Sequence, residues 1–126
     1  MKHFLLFVFC VLVSAGVKSH QWTPTYPDLE RSHIKNVRMV NMELWNKREE
    51  VQFYELKVFD SEWRPVPFAT TNRVVEVPYL KRKKIQIYIR EIDASRVTYI
   101  CSRSKIVKED VDATPISSRI CSKIKT

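Results

Sequence analysis

The sequence predicts an all-β protein built as a single antiparallel β-sandwich of about seven strands. Three observations carry this. From Leu29 onward apolar residues recur with a period of two rather than 3.6. The alternating segments are short, roughly five to nine residues, and polar or proline-containing breakers separate them. No segment combines helical length with an apolar stripe.

Residues 20–28 hold Pro24 and Pro27 and read as an extended entry segment. Leu29 to Ile34 opens the first strand. Val40, Met42 and Leu44 alternate with Asn41, Glu43 and Trp45 in the second. Asn46 to Glu50 breaks the pattern. Val51 to Phe59 resumes it, until Asp60 to Pro65 interrupts again. Arg73 to Val77 is a short β-branched run. Lys81 to Lys84 reads as a basic, solvated turn before Ile85, Ile87 and Ile89, which alternate cleanly with Gln86, Tyr88 and Arg90. Glu91 to Ser95 is the next breaker. Val97 to Ser102 is aromatic and β-branched, and Ile116, Ile120 and Ile124 share one face of a last strand. Trp45, Tyr54, Phe59, Phe68, Tyr88 and Tyr99 lie in or beside strands and are expected in the core or half-buried. Trp22 and Trp63 lie near turns and are expected to be exposed.

Lys2 and His3 precede an apolar run from Phe4 to Val13, and Ser14 to Ser19 follow as small and polar residues. This is the order of a secretory signal, and the run is well short of the about 20 residues that span a bilayer. Residues 1–19 are therefore read as a signal peptide, with Val17 and Ser19 suiting cleavage before His20 and cleavage after Ala15 as the other choice. The product is expected to be exported, with no stable membrane insertion. Cleavage lowers the net charge from +8 to +6, because Lys2 and Lys18 leave with the segment. It also removes Gly16, the single glycine of the 126 residues. A phosphate-cradling loop or dinucleotide fingerprint is thereby excluded, and turns must rely on Asn46, Asp60, Asn72, Asp93 and proline.

Function classes narrow further. His20 and His33, the histidines left after cleavage, have no nucleophile motif beside them, so no enzyme is expected. Ligand spacings of the C-x2-C kind are missing, so neither a metal site nor another cofactor is expected. The run Lys81-Arg82-Lys83-Lys84 suits phosphates, but an exported protein seldom meets nucleic acid, and none is expected as a partner. Cys101 and Cys121 remain after cleavage, and two cysteines in an exported chain favour one disulfide.

The order of these segments resembles the N-terminal, immunoglobulin-like domain of the periplasmic chaperones of the chaperone–usher pilus pathway. Four stretches carry the likeness: Leu29-Glu30-Arg31-Ser32-His33-Ile34; Met42-Glu43-Leu44-Trp45-Asn46 continuing from Val51 through Pro65-Val66-Pro67-Phe68; Val77-Pro78-Tyr79 through Ile85 to Arg90; and Thr98-Tyr99-Ile100-Cys101 with the last strand, Ile116 to Lys125. Together they cover nearly all of residues 29–125, so residues 29–126 are expected to form the domain. Family members continue into a second sandwich, whereas this sequence ends at Thr126.

The resemblance implies donor-strand complementation. A chaperone lends a strand to a pilus or fimbrial subunit that lacks one, so backbone bonds supply affinity and alternate side chains fill pockets. Ile116, Ser118, Ile120 and Ile124 would be the donor row. Arg31 and Lys125, with Lys123 as neighbouring candidate, would anchor the subunit's C-terminal carboxylate. Cys101 and Cys121 would link the two last, adjacent strands. The implied location is the periplasm. The implied partners are pilus subunits, with an outer-membrane usher as a further candidate. The alternative is a small secreted immunoglobulin-like adhesion or recognition module without chaperone activity, using the basic face around Lys81–Lys84.

Overall fold

The computed structural model describes residues 20–105 and 118–125. The expected signal segment, 1–19, and Ile116 of the expected donor row lie outside the described residues. Period-two alternation becomes strand wherever apolar side chains find a facing sheet. The strands are β1 (Gln21–Thr23), β2 (Glu30–Arg31), β3 (Val37–Trp45), β4 (Phe53–Phe59), β5 (Val74–Glu76), β6 (Arg82–Arg90), β7 (Tyr99–Lys105) and β8 (Arg119–Lys123). One helical turn, α1 (Glu91–Ala94), joins β6 to β7.

All pairings between strands are antiparallel. In the first sheet β1, β2 and β6 pair with β3. The second runs β5-β4-β7-β8. Inward residues of both sheets meet in one core. Val40, Leu44, Ile87 and Ile89 come from the first sheet, and Tyr54, Leu56, Val58 and Ile100 from the second. This is an immunoglobulin-like β-sandwich: the alternation predicts the antiparallel sandwich, and the family resemblance implies its immunoglobulin-like form.

Two local outcomes differ from the sequence expectation. The entry segment contributes a strand, with Gln21 to Thr23 pairing with Glu43 to Trp45. Its Trp22 is buried, only 4% exposed, rather than exposed at a turn. The indole Nε1–H donates to the Ile100 carbonyl at 3.0 Å, satisfying the polar atom that burial would otherwise strand. The basic run is not a turn. Arg82, Lys83 and Lys84 pair with Trp45, Leu44 and Glu43 as the first residues of β6. Strand continuity with β3 outweighs the polarity of the run, and Trp45 offers a face to Arg82 (4.1 Å) and Lys47 (4.2 Å). The turn lies just before, where the Lys81 N–H donates to the Pro78 carbonyl at 3.0 Å.

With no glycine among the described residues, left-handed backbone falls to Asn36 (φ 63°), Trp63 (φ 62°) and Leu80 (φ 62°). Asn46 performs another turn task through its side chain. Its amide Nδ2 donates to the carbonyls of Val51 (2.6 Å) and Val77 (2.8 Å), and its Oδ1 accepts from the Arg48 N–H and the Tyr54 hydroxyl. One buried amide thus fixes two loops.

Candidate functional site

β8 is the terminal strand of the second sheet, so one side of its backbone faces away from β7. Hydrogen-bond parity identifies which groups face out. The Ser104 N–H donates to the Ser118 carbonyl, and the Ile124 N–H donates to the Thr98 carbonyl. Even-numbered residues of β8 therefore bond β7, and odd-numbered residues direct their N–H and C=O to the outer edge. At the C-terminal end that edge is occupied. The Lys123 N–H donates to the Thr25 carbonyl at 3.0 Å, and the Lys125 N–H donates to the Pro27 carbonyl at 2.9 Å. Both chains advance by two residues between these bonds, so Thr25–Pro27 runs parallel to β8. Pro24 and Pro27 lack an N–H and cannot extend a ladder on both sides, yet the Pro27 carbonyl still accepts. Farther up, the outward groups of Arg119 and Cys121 have no backbone partner among the described residues.

A disulfide marks the boundary between the two halves. Cys101 and Cys121 are directly opposite in the β7–β8 register, with Cα atoms 4.0 Å apart, and are joined by a 2.04 Å S–S bond. The bond locks the register of the edge strand. Loop-closure entropy assigns about 3 kcal/mol to a loop of this length.

Side chains follow the same parity. Ser118, Ile120, Ser122 and Ile124 point toward the sandwich interior. Ile124 is buried in the chain's own core, whereas Ile120 is half-buried against it. The row expected to face a partner is thus divided, with Ile124 filling this domain and Ile120 at its margin. Arg31, Lys123 and Lys125 are exposed. Topology brings them to one end of the sandwich. Lys125 bonds Pro27, and Arg31 is four residues farther along, at most about 14 Å for extended chain. Arg31 also faces an internal carboxylate there. Its charge helps hold Glu91 below the usual carboxylate range, after the larger effect of the Arg38 hydrogen bonds to Glu91.

Sequence reasoning missed a buried polar cluster beneath the open half. His20 Nε2 lies 2.9 Å from Ser102 Oγ, and its Nδ1 lies 3.4 Å from Ser118 Oγ. The Arg48 guanidinium, 7% exposed, donates to Ser104 and Ser118 hydroxyls at 3.4 Å and to Glu50 at 2.8 Å. The Ser118 N–H donates to Ser104 Oγ at 2.8 Å. Burial is the main reason the His20 pKa falls to about 4; hydrogen bonding with the Ser102 backbone opposes this and the Arg48 charge adds to it. Burial likewise raises Tyr54, whose ring lies 4.6 Å from His20, to about 12. His20 and Ser102 have the spacing of a base and a hydroxyl, but the hydroxyl is fully buried and the other ring nitrogen faces a serine, not a carboxylate. The available signal was the alternation of Ser102 with Ser104 in a core-facing strand. Its partners are 82 and 56 residues away.

On the outer face of the second sheet, Trp63 stacks on Tyr99 with centroids 4.1 Å apart and planes within 2°. Arg119 lies over Trp63 at 5.1 Å and Phe59 at 5.6 Å. Trp63 is 45% exposed, in keeping with its place in a turn.

The geometry defines a class, an immunoglobulin-like sandwich with one half-open edge strand. The crystal structure of the E. coli chaperone DraB has this fold. It matches with a TM-score of 0.61 and 14% sequence identity, over 84% of this chain and 53% of that chain. This chain therefore spans about half the length of DraB's. No protein-family model and no curated protein matches the sequence. Among the described residues no helix is long and apolar enough to cross a membrane.

Proposed function

We propose that this chain is a periplasmic chaperone-like protein that binds pilus or fimbrial subunits by lending them the edge of β8. It acts as a binding protein rather than an enzyme. The observation that carries the reading is the divided edge. Lys123 and Lys125 are bonded within the domain, whereas the outward backbone groups at Arg119 and Cys121 have no partner among the described residues. An open edge invites strand addition, and the disulfide fixes its register. Ile120, already half-buried, offers its remaining apolar surface at the margin, worth about 1 kcal/mol. Arg31 and Lys125 lie at one end and suit a terminal carboxylate. The likeness to DraB supports the chaperone reading, and an usher is a further partner in it.

The test is co-expression with fimbrial subunits in a periplasmic system, followed by isolation of complexes. The wild-type chain is expected to yield a soluble one-to-one complex. Ile120→Asp should abolish it. Arg119→Pro should also abolish it, because it removes an outward N–H and none of the bonds to β7. Unimpaired capture by folded Arg119→Pro would sink strand addition at this edge.

A second reading rests on Trp45, held between Lys47 and Arg82 on the basic start of β6. A recognition module using that face should lose binding steeply as salt rises. Strand addition should be less sensitive.

A further inference from the structure

Arg119 is the side chain nearest the open edge on the outer face of β8, and its setting is built rather than incidental. The loop after β4 is locked by Asp60. Its carboxylate accepts from the N–H groups of Glu62 (2.9 Å) and Arg64 (2.9 Å) and from the Arg64 Nε–H (3.0 Å). That loop holds Trp63 at φ 62°, a conformation that a bulky residue seldom adopts. Trp63 lies flat on Tyr99, and the Arg119 guanidinium sits over Trp63 and Phe59. The neighbouring cations Lys57 and Lys105 share Glu55, at 3.3 and 2.9 Å. Among the described residues no carboxylate pairs with Arg119.

We infer that Arg119, oriented by Trp63, selects an acidic side chain on the partner strand that adds to the open edge of β8. The inference rests on the strand-addition reading and supplies the chemistry of its partner. A strand bonded to the outward groups of Arg119 must place a residue beside Arg119 on the same face, about 5 Å away between Cβ atoms. A guanidinium held over aromatic rings still has N–H groups to donate, and its fork matches a carboxylate. The aromatic stack keeps Arg119 from collapsing into solvent-averaged rotamers, so less freedom is lost on pairing. Lys123, also on the outer face, extends positive charge along the strand.

The experiment uses the mature chain and three synthetic strand peptides. All carry the same alternating isoleucine and valine row, and their outward row is glutamate, serine or lysine. Affinities are measured by fluorescence anisotropy at low salt. Glutamate should bind best and lysine worst, with about three- to tenfold between successive peptides. Arg119→Glu should invert the order. Trp63→Ala should compress the spread while leaving the serine peptide unchanged, and Arg119→Lys should restore only part of the preference. Equal binding of the three peptides by the wild-type chain overturns the inference and leaves strand addition intact. Binding of none of them overturns strand addition and the inference with it.

Discussion

The two halves of β8 differ although one short strand contains both. Below Cys121 the outer edge is bonded to Thr25 and Pro27, and Ile124 is in the core. Above it, the outward groups of Arg119 and Cys121 join no backbone ladder among the described residues, although β1 lies beside β8, and Ile120 is half-buried. The contrast teaches that an edge strand can be anchored at one end and offered at the other. The anchored half resists fraying and so holds the offered half in register. An unprotected edge is an aggregation hazard. Confining it to a short segment beside Arg119 limits that hazard.

The sharpest way to break the comparison is to truncate one isoleucine in each half. Ile124→Ala should cost about 2–5 kcal/mol, as for other core isoleucines, and Ile120→Ala about 1 kcal/mol. Urea unfolding of the two variants measures this. Equal losses would mean that both halves belong to the same core.

Removing the disulfide should come next, at about 3 kcal/mol. Cys101→Ser with Cys121→Ser should lower the unfolding midpoint, and reductant should do the same to the wild type. Amide exchange should rise most at Ile120 and Ser122, whose N–H groups bond β7, and less at Lys123 and Lys125, which are bonded to Thr25 and Pro27. The unreduced protein should label with no thiol reagent at Cys101 or Cys121, since both are consumed in the bond.

The smallest effect is a pH dependence beneath the open half. His20 is held neutral, with its pKa lowered from 6.5 to about 4 mainly by burial. The unfolded chain binds the proton more readily, so stability is complete above about pH 6.5 and falls as pH drops toward 4. The loss should be about 1–3 kcal/mol across that window. His20→Gln should flatten the slope there while leaving the carboxylate-dependent loss at lower pH. A slope unchanged by the substitution would place His20 outside the stability balance.

Much of the sandwich was legible because alternation and burial are local matters. Ile85, Ile87 and Ile89 announce β6, and all three are buried. The Cys101–Cys121 link also follows, since the expected signal cleavage would leave two cysteines on strands that the family likeness makes neighbours. Trp22 was not legible. Its strand has three residues and then a proline, too few to establish a period, so its burial depends on β3 and Ile100. The basic start of β6 misled for a related reason. Four cations look like a turn until β3 supplies a ladder and Trp45 supplies a face.

What the sequence determined by itself is the set of segments able to bury one face, the parity of their side chains, and the lack of glycine from His20 onward. These depend on residue type and spacing alone. Only the tertiary structure decided which half of β8 is bonded along its outer edge and how His20, Arg48, Ser104 and Ser118 gather under β8. Those outcomes depend on pairings across tens of residues. Backbone groups bond whatever strand the fold brings beside them, and side chains far apart in sequence become neighbours only then.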